Sequence, residues 1–228
     1  FGHFRTVKIK VAEPGQSFEE DLARVRRVRE LHPQVAIRLD ANGGYDVATA
    51  IEVAKQLALE SIDLEYFEQP VKTLEDLVAV RSKLARIGVK VAADESIRKA
   101  GDPLAVAQAN AADVLVIKAQ PLGGIQSALG ITREAKLPVT VSSALETSVG
   151  ISMGLHLAAA LEVESFDAGL GTVALLAEDV CEEPLIAENA MLYVNRAVPS
   201  ELQLAKLAAD SERTQWWHER LKRCFNLV

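Results

Sequence analysis

The chain has 228 residues, of which 49% are hydrophobic and 25% charged, and its net charge of −7 is spread along the sequence. This balance suits one domain with a substantial core and argues against a nucleic-acid partner, which usually requires a basic stripe. No apolar run approaches the roughly 18 residues of a membrane span, and Cys181 and Cys224 form no CxxC pair, so we expect no membrane partner, no disulfide framework and a cytoplasmic location.

Strands and helices alternate along the chain. Short β-branched or apolar runs predict strands at Arg5–Val11, Val35–Asp40, Ile62–Glu68, Val89–Asp94, Val114–Lys118, Pro138–Ser142 and, as a short seventh, Ser165–Gly169. Helices are predicted between them: one opened by a Ser17/Glu20 capping box, one capped by Asp46, one from Thr73 to Gly88, one capped by Asp102-Pro103, then Ile125–Ala135 and Thr147–Ala160. An amphipathic tail, Pro199–Phe225, is expected to dock on the domain through Trp216 and Trp217.

This alternation predicts a parallel sheet with helical crossovers in an α/β domain covering residues 1–228. Two architectures fit, a doubly wound open sheet and a TIM-type barrel. The doubly wound sheet would need a nucleotide-binding loop, and neither GxGxxG nor GxxxxGK[ST] occurs in the sequence. The barrel is therefore favoured.

Ionisable residues stand at five successive strand ends: Lys10, Asp40, Glu68, Asp94 and Lys118. The last four follow one another at intervals of 28, 26 and 24 residues. One strand–helix unit of a barrel takes roughly 30 residues, and barrel active sites lie at the C-terminal strand ends. We therefore expect all five side chains on one face.

Asp40, Glu68 and Asp94 predict a metal site. Carboxylates on adjacent strand ends would repel one another unless a hard cation lay between them, and an all-oxygen set suits Mg²⁺, Mn²⁺ or Ca²⁺ rather than zinc. A single Asp at a strand end is more often a helix cap or loop residue, but three at regular intervals between two lysines favour a functional site.

The lysines predict proton transfer. Lys8 and Lys10 lie on the same side of their strand because side chains alternate. A second ammonium group and a cation nearby would favour the neutral form of Lys10, which could then take a proton from a carbon acid. Taken alone, Lys8 and Lys10 fit an exposed strand edge equally well.

These motifs resemble the enolase superfamily, muconate lactonizing subgroup. The resemblance rests on KIK at Lys8–Lys10, LDAN at Leu39–Asn42, EQP at Glu68–Pro70, ADES at Ala92–Ser96 and IKAQPLGG at Ile117–Gly124. Three later segments are similar to the o-succinylbenzoate synthases of the actinobacterial type: SSALETSVG at Ser142–Gly150, GLGT at Gly169–Thr172 and TVALLAEDV at Thr172–Val180.

The resemblance implies a modified (β/α)7β barrel that dehydrates a small carboxylate, 2-succinyl-6-hydroxy-2,4-cyclohexadiene-1-carboxylate, to o-succinylbenzoate in menaquinone biosynthesis. It further implies Mg²⁺, with Mn²⁺ possible, stabilising an enediolate. Lys10 would move the proton, Lys118 would supply positive charge from the opposite face, and Lys8 would support them. Ser142, Ser143 and Gly169 would contact substrate.

The family also has an N-terminal α+β capping domain and a first barrel strand, and the sequence predicts neither. Because the chain begins at Phe1 without Met, and its first residues already predict a strand, we expect the numbering to start inside a longer protein.

Two other functions stay open at this stage. An N-acylamino acid racemase or dipeptide epimerase of the same subgroup would use the same two lysines, one on each face of the α-carbon. A non-catalytic metal-binding scaffold would keep the three acids but would not need Lys10.

Overall fold

Six short parallel strands form one hydrogen-bonded sheet whose order follows the chain. The computed structural model describes residues 3–225. The strands are β1 (Thr6–Lys10), β2 (Ala36–Asp40), β3 (Leu64–Glu68), β4 (Val91–Ala93), β5 (Val114–Ile117) and β6 (Val139–Val141). Sequential parallel order with helical crossovers is the arrangement of repeated (β/α) units, as the alternation of the sequence predicted.

Helices fill the connections and the C-terminal segment. They are α1 (Phe18–Leu31), α2 (Val47–Leu59), α3 (Leu74–Leu84), α4 (Glu95–Arg98), α5 (Ala105–Gln108), α6 (Ile125–Ala135), α7 (Ser148–Ala159), α8 (Glu201–Lys206) and α9 (Ser211–Phe225). Short 3₁₀ turns lie at Ala85–Ile87 and Thr172–Leu175.

The predicted helix signals at the first three crossovers are confirmed. The Ser17 hydroxyl accepts a hydrogen bond from the Glu20 amide, and the Glu20 carboxylate accepts one from the Ser17 amide. Asp46 and Thr73 each cap the helix that follows them. Gly88 ends the α3 segment in the left-handed region with φ 76°, where a Cβ would be strained.

The predicted cap at Asp102 is wrong. The Asp102 carboxylate accepts a hydrogen bond from the Leu104 amide, which closes a turn around Pro103. The helix α5 therefore starts only at Ala105 and completes a single turn.

The sheet is curled, and a segment beyond β6 reaches back to β1. Ser165 and Gly169 pair with the β6 region only through isolated parallel bridges, so the predicted seventh strand does not form a continuous ladder. The side chain of Asp167 instead accepts a hydrogen bond from the Thr6 hydroxyl at 3.1 Å, and its carbonyl accepts one from Arg38 at 2.8 Å. These contacts bring the two ends of the sheet together through side chains.

The two faces of the sheet differ in chemistry. The main hydrophobic core lies between the sheet and its helices and includes Ile37, Leu39 and Phe67. The inner face holds a small cluster of Tyr66, Ala92, Val114 and Val116, with Phe166 packed against it. Because side chains alternate between the two faces of a strand, the charged strand residues can point to the inner face. They lie at the C-terminal ends of the strands.

The prediction that Trp216 and Trp217 dock the tail is wrong. None of the described residues of α9 is buried, and the two indoles are 41% and 54% exposed. Their rings pack edge to face against each other at 4.8 Å, and Arg220 lies over both. The two indoles therefore contact each other and Arg220 on the same helix, and they are not buried against the domain.

Two further expectations concern thiols and membranes. Cys181 is buried and Cys224 exposed, and both are free, as predicted. Within residues 3–225 no helix combines the length and the apolar character needed to cross a membrane.

Asp21 on α1 fixes the loop that follows β1, and its removal should destabilise the domain. Its buried carboxylate accepts hydrogen bonds from the Ala12 amide, the Tyr45 hydroxyl and Arg24. We expect Asp21→Ala to lose about 2 kcal/mol in urea unfolding, because two partly buried donors lose their acceptor. Glu30→Ala, on the same helix but exposed, should change the free energy of unfolding by less than about 0.5 kcal/mol. Equal losses in the two variants would contradict this role.

Candidate active site

The strand register places the predicted ionisable residues on one rim. Lys10 pairs with Asp40 across β1 and β2, and Asp40 pairs with Glu68 across β2 and β3. Asp94 directly follows β4, and Lys118 directly follows β5. The structure therefore brings the five residues together at the C-terminal strand ends.

One lysine bridges two of the acids, and a second lysine contacts one of them. The Lys8 ammonium lies 2.9 Å and 3.0 Å from the two Glu68 oxygens and 3.0 Å from Asp40 Oδ2. The Lys10 ammonium lies 2.6 Å from the same Asp40 oxygen and 2.6 Å from Asn42 Oδ1. One carboxylate oxygen thus carries two ammonium groups.

The third acid is held separately. Asp94 Oδ2 accepts a hydrogen bond from Lys118 at 2.7 Å, and Asp94 Oδ1 accepts one from Arg98 at 2.9 Å. The buried carboxamide of Gln69 accepts from the backbone amides of Asp94 and Ser96 at 3.1 Å each, so it fixes the turn that presents the acid.

A cavity of about 450 Å³ opens over these groups. Lys10, Asp40, Asp94 and Lys118 line it, and residues after β6 close its far side. Side-chain exposure is 50% for Lys10 but 10% for Lys118. The Lys10 side chain is therefore the more accessible of the two to a ligand.

Burial of the acids is the main electrostatic cost of the site. Burial, together with the charges of Asp40 and Asp94, raises the pKa of Glu68 to about 7 despite its bonds to Lys8. Burial opposes ionisation of Asp40 as well, but Lys8 and Lys10 outweigh it and hold the pKa of Asp40 below its usual value. Burial acts against the Lys8 ammonium, and Glu68 and Asp40 nevertheless raise the pKa of Lys8.

The three acids fit a hard divalent cation by their chemistry. All are carboxylates, all are at most 1% exposed, and they stand on adjacent strand ends. Among the residues that the structure describes, no three acidic, His or Cys side chains already stand as a metal-holding group. Lysine ammonium groups occupy the carboxylate oxygens instead, so cation binding requires them to move aside.

The three predicted substrate contacts line the same cavity. Ser142 and Ser143 are mostly buried. The Ser143 hydroxyl contacts the Gly169 carbonyl at 3.3 Å and the Thr172 hydroxyl at 3.0 Å, so it orders the segment around Gly169. A Cβ on Gly169 would sit 3.6 Å from Ser142 Oγ, pointing into the cavity wall.

Sequence reasoning missed Asn42, Glu95 and Arg98 as members of the site. Each was detectable by spacing. Asn42 lies two residues beyond Asp40, Glu95 follows Asp94, and Arg98 lies four residues beyond Asp94 at the spacing that places two side chains on one face of a helix.

The fold and the rim together define a class: a (β/α) domain with buried acids and lysines at the C-terminal ends of its parallel strands. The chain belongs to the enolase C-terminal domain-like family, whose model matches residues 2–198. Membership of this family implies a divalent metal ion.

The relatives identify a narrower group. The o-succinylbenzoate synthase of Mycolicibacterium smegmatis is 50% identical over 224 residues, covering 98% of this chain and 68% of that protein. The protein of the same name from Mycobacterium tuberculosis is 49% identical and is covered to 67%. This chain thus spans about two thirds of the length of these curated relatives.

Solved structures agree on the fold. The muconate lactonizing enzyme from Pseudomonas putida superposes with a TM-score of 0.79 at 25% identity, covering 91% of this chain and 59% of that one. A mandelate racemase/muconate lactonizing protein from Herpetosiphon aurantiacus gives a TM-score of 0.66 at 30% identity, covering 77% and 50% of the two chains.

The ligand assignment predicts that each acid is needed for cation binding. Asp40→Asn, Glu68→Gln and Asp94→Asn should each weaken Mg²⁺ binding at least about tenfold, because an amide oxygen replaces an anionic ligand. Calorimetric titration of Mg²⁺ is the measurement. Asp63→Asn, an exposed acid before β3, is the matched control and should bind normally. Normal affinity in any two of the three variants would contradict the assignment.

The raised pKa of Glu68 predicts a pH-dependent affinity. Below a pH of about 7 the folded chain holds a proton on Glu68, and a cation must displace it. Mg²⁺ affinity should therefore fall by up to about tenfold per pH unit as the pH drops below 7, and should level off above 8. Calorimetry in buffers of different ionisation enthalpy would show proton release at pH 6. A flat affinity between pH 5 and 8 would exclude this titration.

Proposed function

We propose that this chain carries the active site of an o-succinylbenzoate synthase. The reaction would be the syn dehydration of 2-succinyl-6-hydroxy-2,4-cyclohexadiene-1-carboxylate to o-succinylbenzoate, a step of menaquinone biosynthesis. The observation that carries the proposal is the 50% identity, over nearly the whole chain, to a protein of that name.

The arrangement of the two lysines supports this chemistry. Lys10 and Lys118 line one cavity, and the strands β2 to β4 with their acids lie between them. A carbon acid bound over the acids would therefore meet an amine on either side.

Lys10 is suited to move the proton. Its side chain is half exposed and lines the cavity, so the neutral amine would be able to reach the α-carbon next to the ring carboxylate. The C–H bond breaks, and the proton passes to Lys10 Nζ. The C–O bond to the ring hydroxyl then breaks, the same proton goes to the departing oxygen, and water leaves. Lys10 ends as it began, and the ring becomes aromatic.

Lys118 is suited to supply a fixed charge. It is largely buried and bonded to Asp94, so it holds a positive charge at the cavity wall without leaving it. Such a charge stabilises the anionic character that develops after proton removal. It also lies where it could contact the ring by a cation–π interaction.

Asp40, Glu68 and Asp94 would hold Mg²⁺, with Mn²⁺ as the alternative that the same oxygen ligands accept. The cation would supply positive charge beside the substrate carboxylate. Lys8, which bridges Asp40 and Glu68, would keep these two acids together.

The architecture that we propose is a modified (β/α)7β barrel. Its support is the curl of the sheet, and the contact of Asp167 with both Thr6 and Arg38 across the gap between the first and last strands. Ser165–Gly169 would be its seventh strand.

An N-acylamino acid racemase or epimerase is the second candidate. The presence of an amine on each side of the cavity favours it, since racemisation needs a proton-transferring group on both faces. The bond of Lys118 to Asp94 counts against it, because a racemase would require that amine to leave the carboxylate and exchange a proton with the α-carbon.

The roles of the two lysines predict different outcomes for their variants. Lys10→Ala should lower the aromatisation rate at least about 10²-fold, since one group performs both proton transfers. Lys118→Arg keeps the charge with a different shape, so it should retain part of the dehydration but lose any racemase activity. Absorbance of the aromatic product and α-proton exchange of an N-acylamino acid in D₂O measure the two activities.

Lys83→Ala, on the exposed side of α3, is the control and should behave as wild type. Near-normal dehydration by Lys10→Ala, or normal racemisation by Lys118→Arg, would refute the assigned roles. The metal site would survive that result, because its argument does not depend on which lysine moves the proton.

A further inference from the structure

A line of side-chain hydrogen bonds leads away from Lys10 along the rim. The Lys10 ammonium donates to Asn42 Oδ1 at 2.6 Å. The Asn42 amide nitrogen donates in turn to Glu95 Oε1 at 3.2 Å. Asn42 therefore uses both ends of its carboxamide, one toward the lysine and one toward the acid.

The same line reaches Lys118 from the other side. Glu95 Oε1 also accepts from Arg98 Nη2 at 2.5 Å. Arg98 Nε donates to Asp94 Oδ1, and Asp94 Oδ2 accepts from Lys118. An unbroken series of contacts thus joins the two lysines around the outside of the cavity.

We propose that Asn42, Glu95 and Arg98 form a positioning bridge that aims Lys10 at the substrate and fixes Asp94, with Glu95 as its centre. The inference rests on the proposed function for its role in turnover. None of the three residues transfers a proton; each acts through the group that it holds.

Asn42 is placed rigidly enough for this role. Its backbone adopts φ 46°, in the left-handed region, and its backbone N–H donates to Asp40 Oδ1 at 3.1 Å. The next residue, Gly43, donates its amide to the Gln69 carbonyl at 2.7 Å. The turn after β2 is thereby tied to the turn after β3, which fixes the backbone that carries the carboxamide.

Because the Asn42 side chain is uncharged and is not an assigned metal ligand, its contact with Lys10 can persist when a cation binds. Lys8 and Lys10 share Asp40 Oδ2, one of the oxygens assigned to the cation. A divalent cation on that carboxylate would repel both ammonium groups. The carboxamide of Asn42 is not a ligand in this assignment, so it keeps its bond to Lys10 when the acid is engaged.

Glu95 and Arg98 form the rigid half of the bridge. The Glu95 side chain is 15% exposed, and its Oε2 is buried without a hydrogen-bond partner among the described residues. Arg98 reaches two acids at once with its planar fork, which a lysine could not reproduce. Both residues lie on α4, directly after Asp94, so they hold that acid in register with Asn42.

The first experiment separates positioning from stability. Asn42→Gly keeps the left-handed backbone and removes the carboxamide. We expect kcat to fall roughly 10- to 100-fold, with KM and the Mg²⁺ affinity unchanged, because a misaimed base slows proton transfer without weakening binding. The isotope effect with α-deuterated substrate should rise. Lys99→Ala, beside the bridge but outside it, is the control and should match wild type.

A double-mutant cycle tests whether the bridge acts as one unit. Asn42→Gly combined with Glu95→Ala should lower kcat no more than about twofold beyond the worse single variant. Fully multiplicative losses would overturn a shared bridge.

The second experiment needs no turnover. The rate at which acetic anhydride modifies Lys10 in the Mg²⁺-saturated chain is measured by mass spectrometry, relative to Lys99 in the same sample. In Asn42→Gly we expect this ratio to rise about fivefold, the effect of losing one hydrogen bond, and in Glu95→Ala we expect a smaller rise, because Asn42 keeps its bond to Lys10 but loses its own support. An unchanged ratio overturns the bridge.

The two proposals fail in different ways. If wild type does not aromatise the substrate, the proposed function falls, and the acetylation ratio still decides the bridge. If wild type turns over while Asn42→Gly stays within twofold of its kcat, the bridge falls alone. A loss of kcat that merely follows a lower unfolding midpoint also overturns it.

Discussion

The concentration of three buried carboxylates at neighbouring strand ends is the constraint on which the rest of the site depends. Asp40, Glu68 and Asp94 are almost fully shielded from water. An isolated negative charge is very unfavourable in such a buried position. The chain compensates with Lys8, Lys10, Lys118 and Arg98, each within 3.0 Å of one of these acids. The compensation is incomplete, because the pKa of Glu68 still rises to about 7. A further positive charge at this position would therefore be favourable.

The parallel register makes this concentration possible. In an unbroken parallel ladder each strand ends beside its neighbour, so one acid per strand end yields a contiguous row. The pairing of β2 with β3 shifts register between Ile37 and Arg38, before the strands reach the row of acids. Asp40 and Glu68 therefore still lie opposite each other. The hydrophobic outer face of the sheet packs against the helices. The inner face carries the charged residues at the strand ends and a small apolar cluster below them.

Much of this arrangement could be predicted from the sequence, for identifiable reasons. The strand ends at Asp40 and Glu68 followed from short apolar runs, and the starts of α1 and α3 followed from local capping chemistry. What failed depended on contacts between distant parts of the chain. The seventh strand is reduced to isolated bridges and a few backbone hydrogen bonds to β6, and the tail indoles pack on each other, neither of which a local pattern encodes. The pairing of Lys8 with Glu68, 60 residues apart, likewise required the folded sheet.

The lysine pairings have a consequence for how the site would be assembled. The Lys10 ammonium contacts Asp40, and the Lys118 ammonium contacts Asp94, so each lysine is a counter-ion to one acid. A divalent cation would replace the lysines as the counter-ion of these acids, since it brings two positive charges to the same oxygens. The amine of Lys10 would then lose its strongest anionic partner at the moment when the substrate carboxylate gains a binding site. Lys118, bonded to an acid that Arg98 also holds, would move less. In the proposed reaction the difference in exposure between the two lysines, 50% against 10%, would suit one amine that is released for proton transfer and another that stays in place.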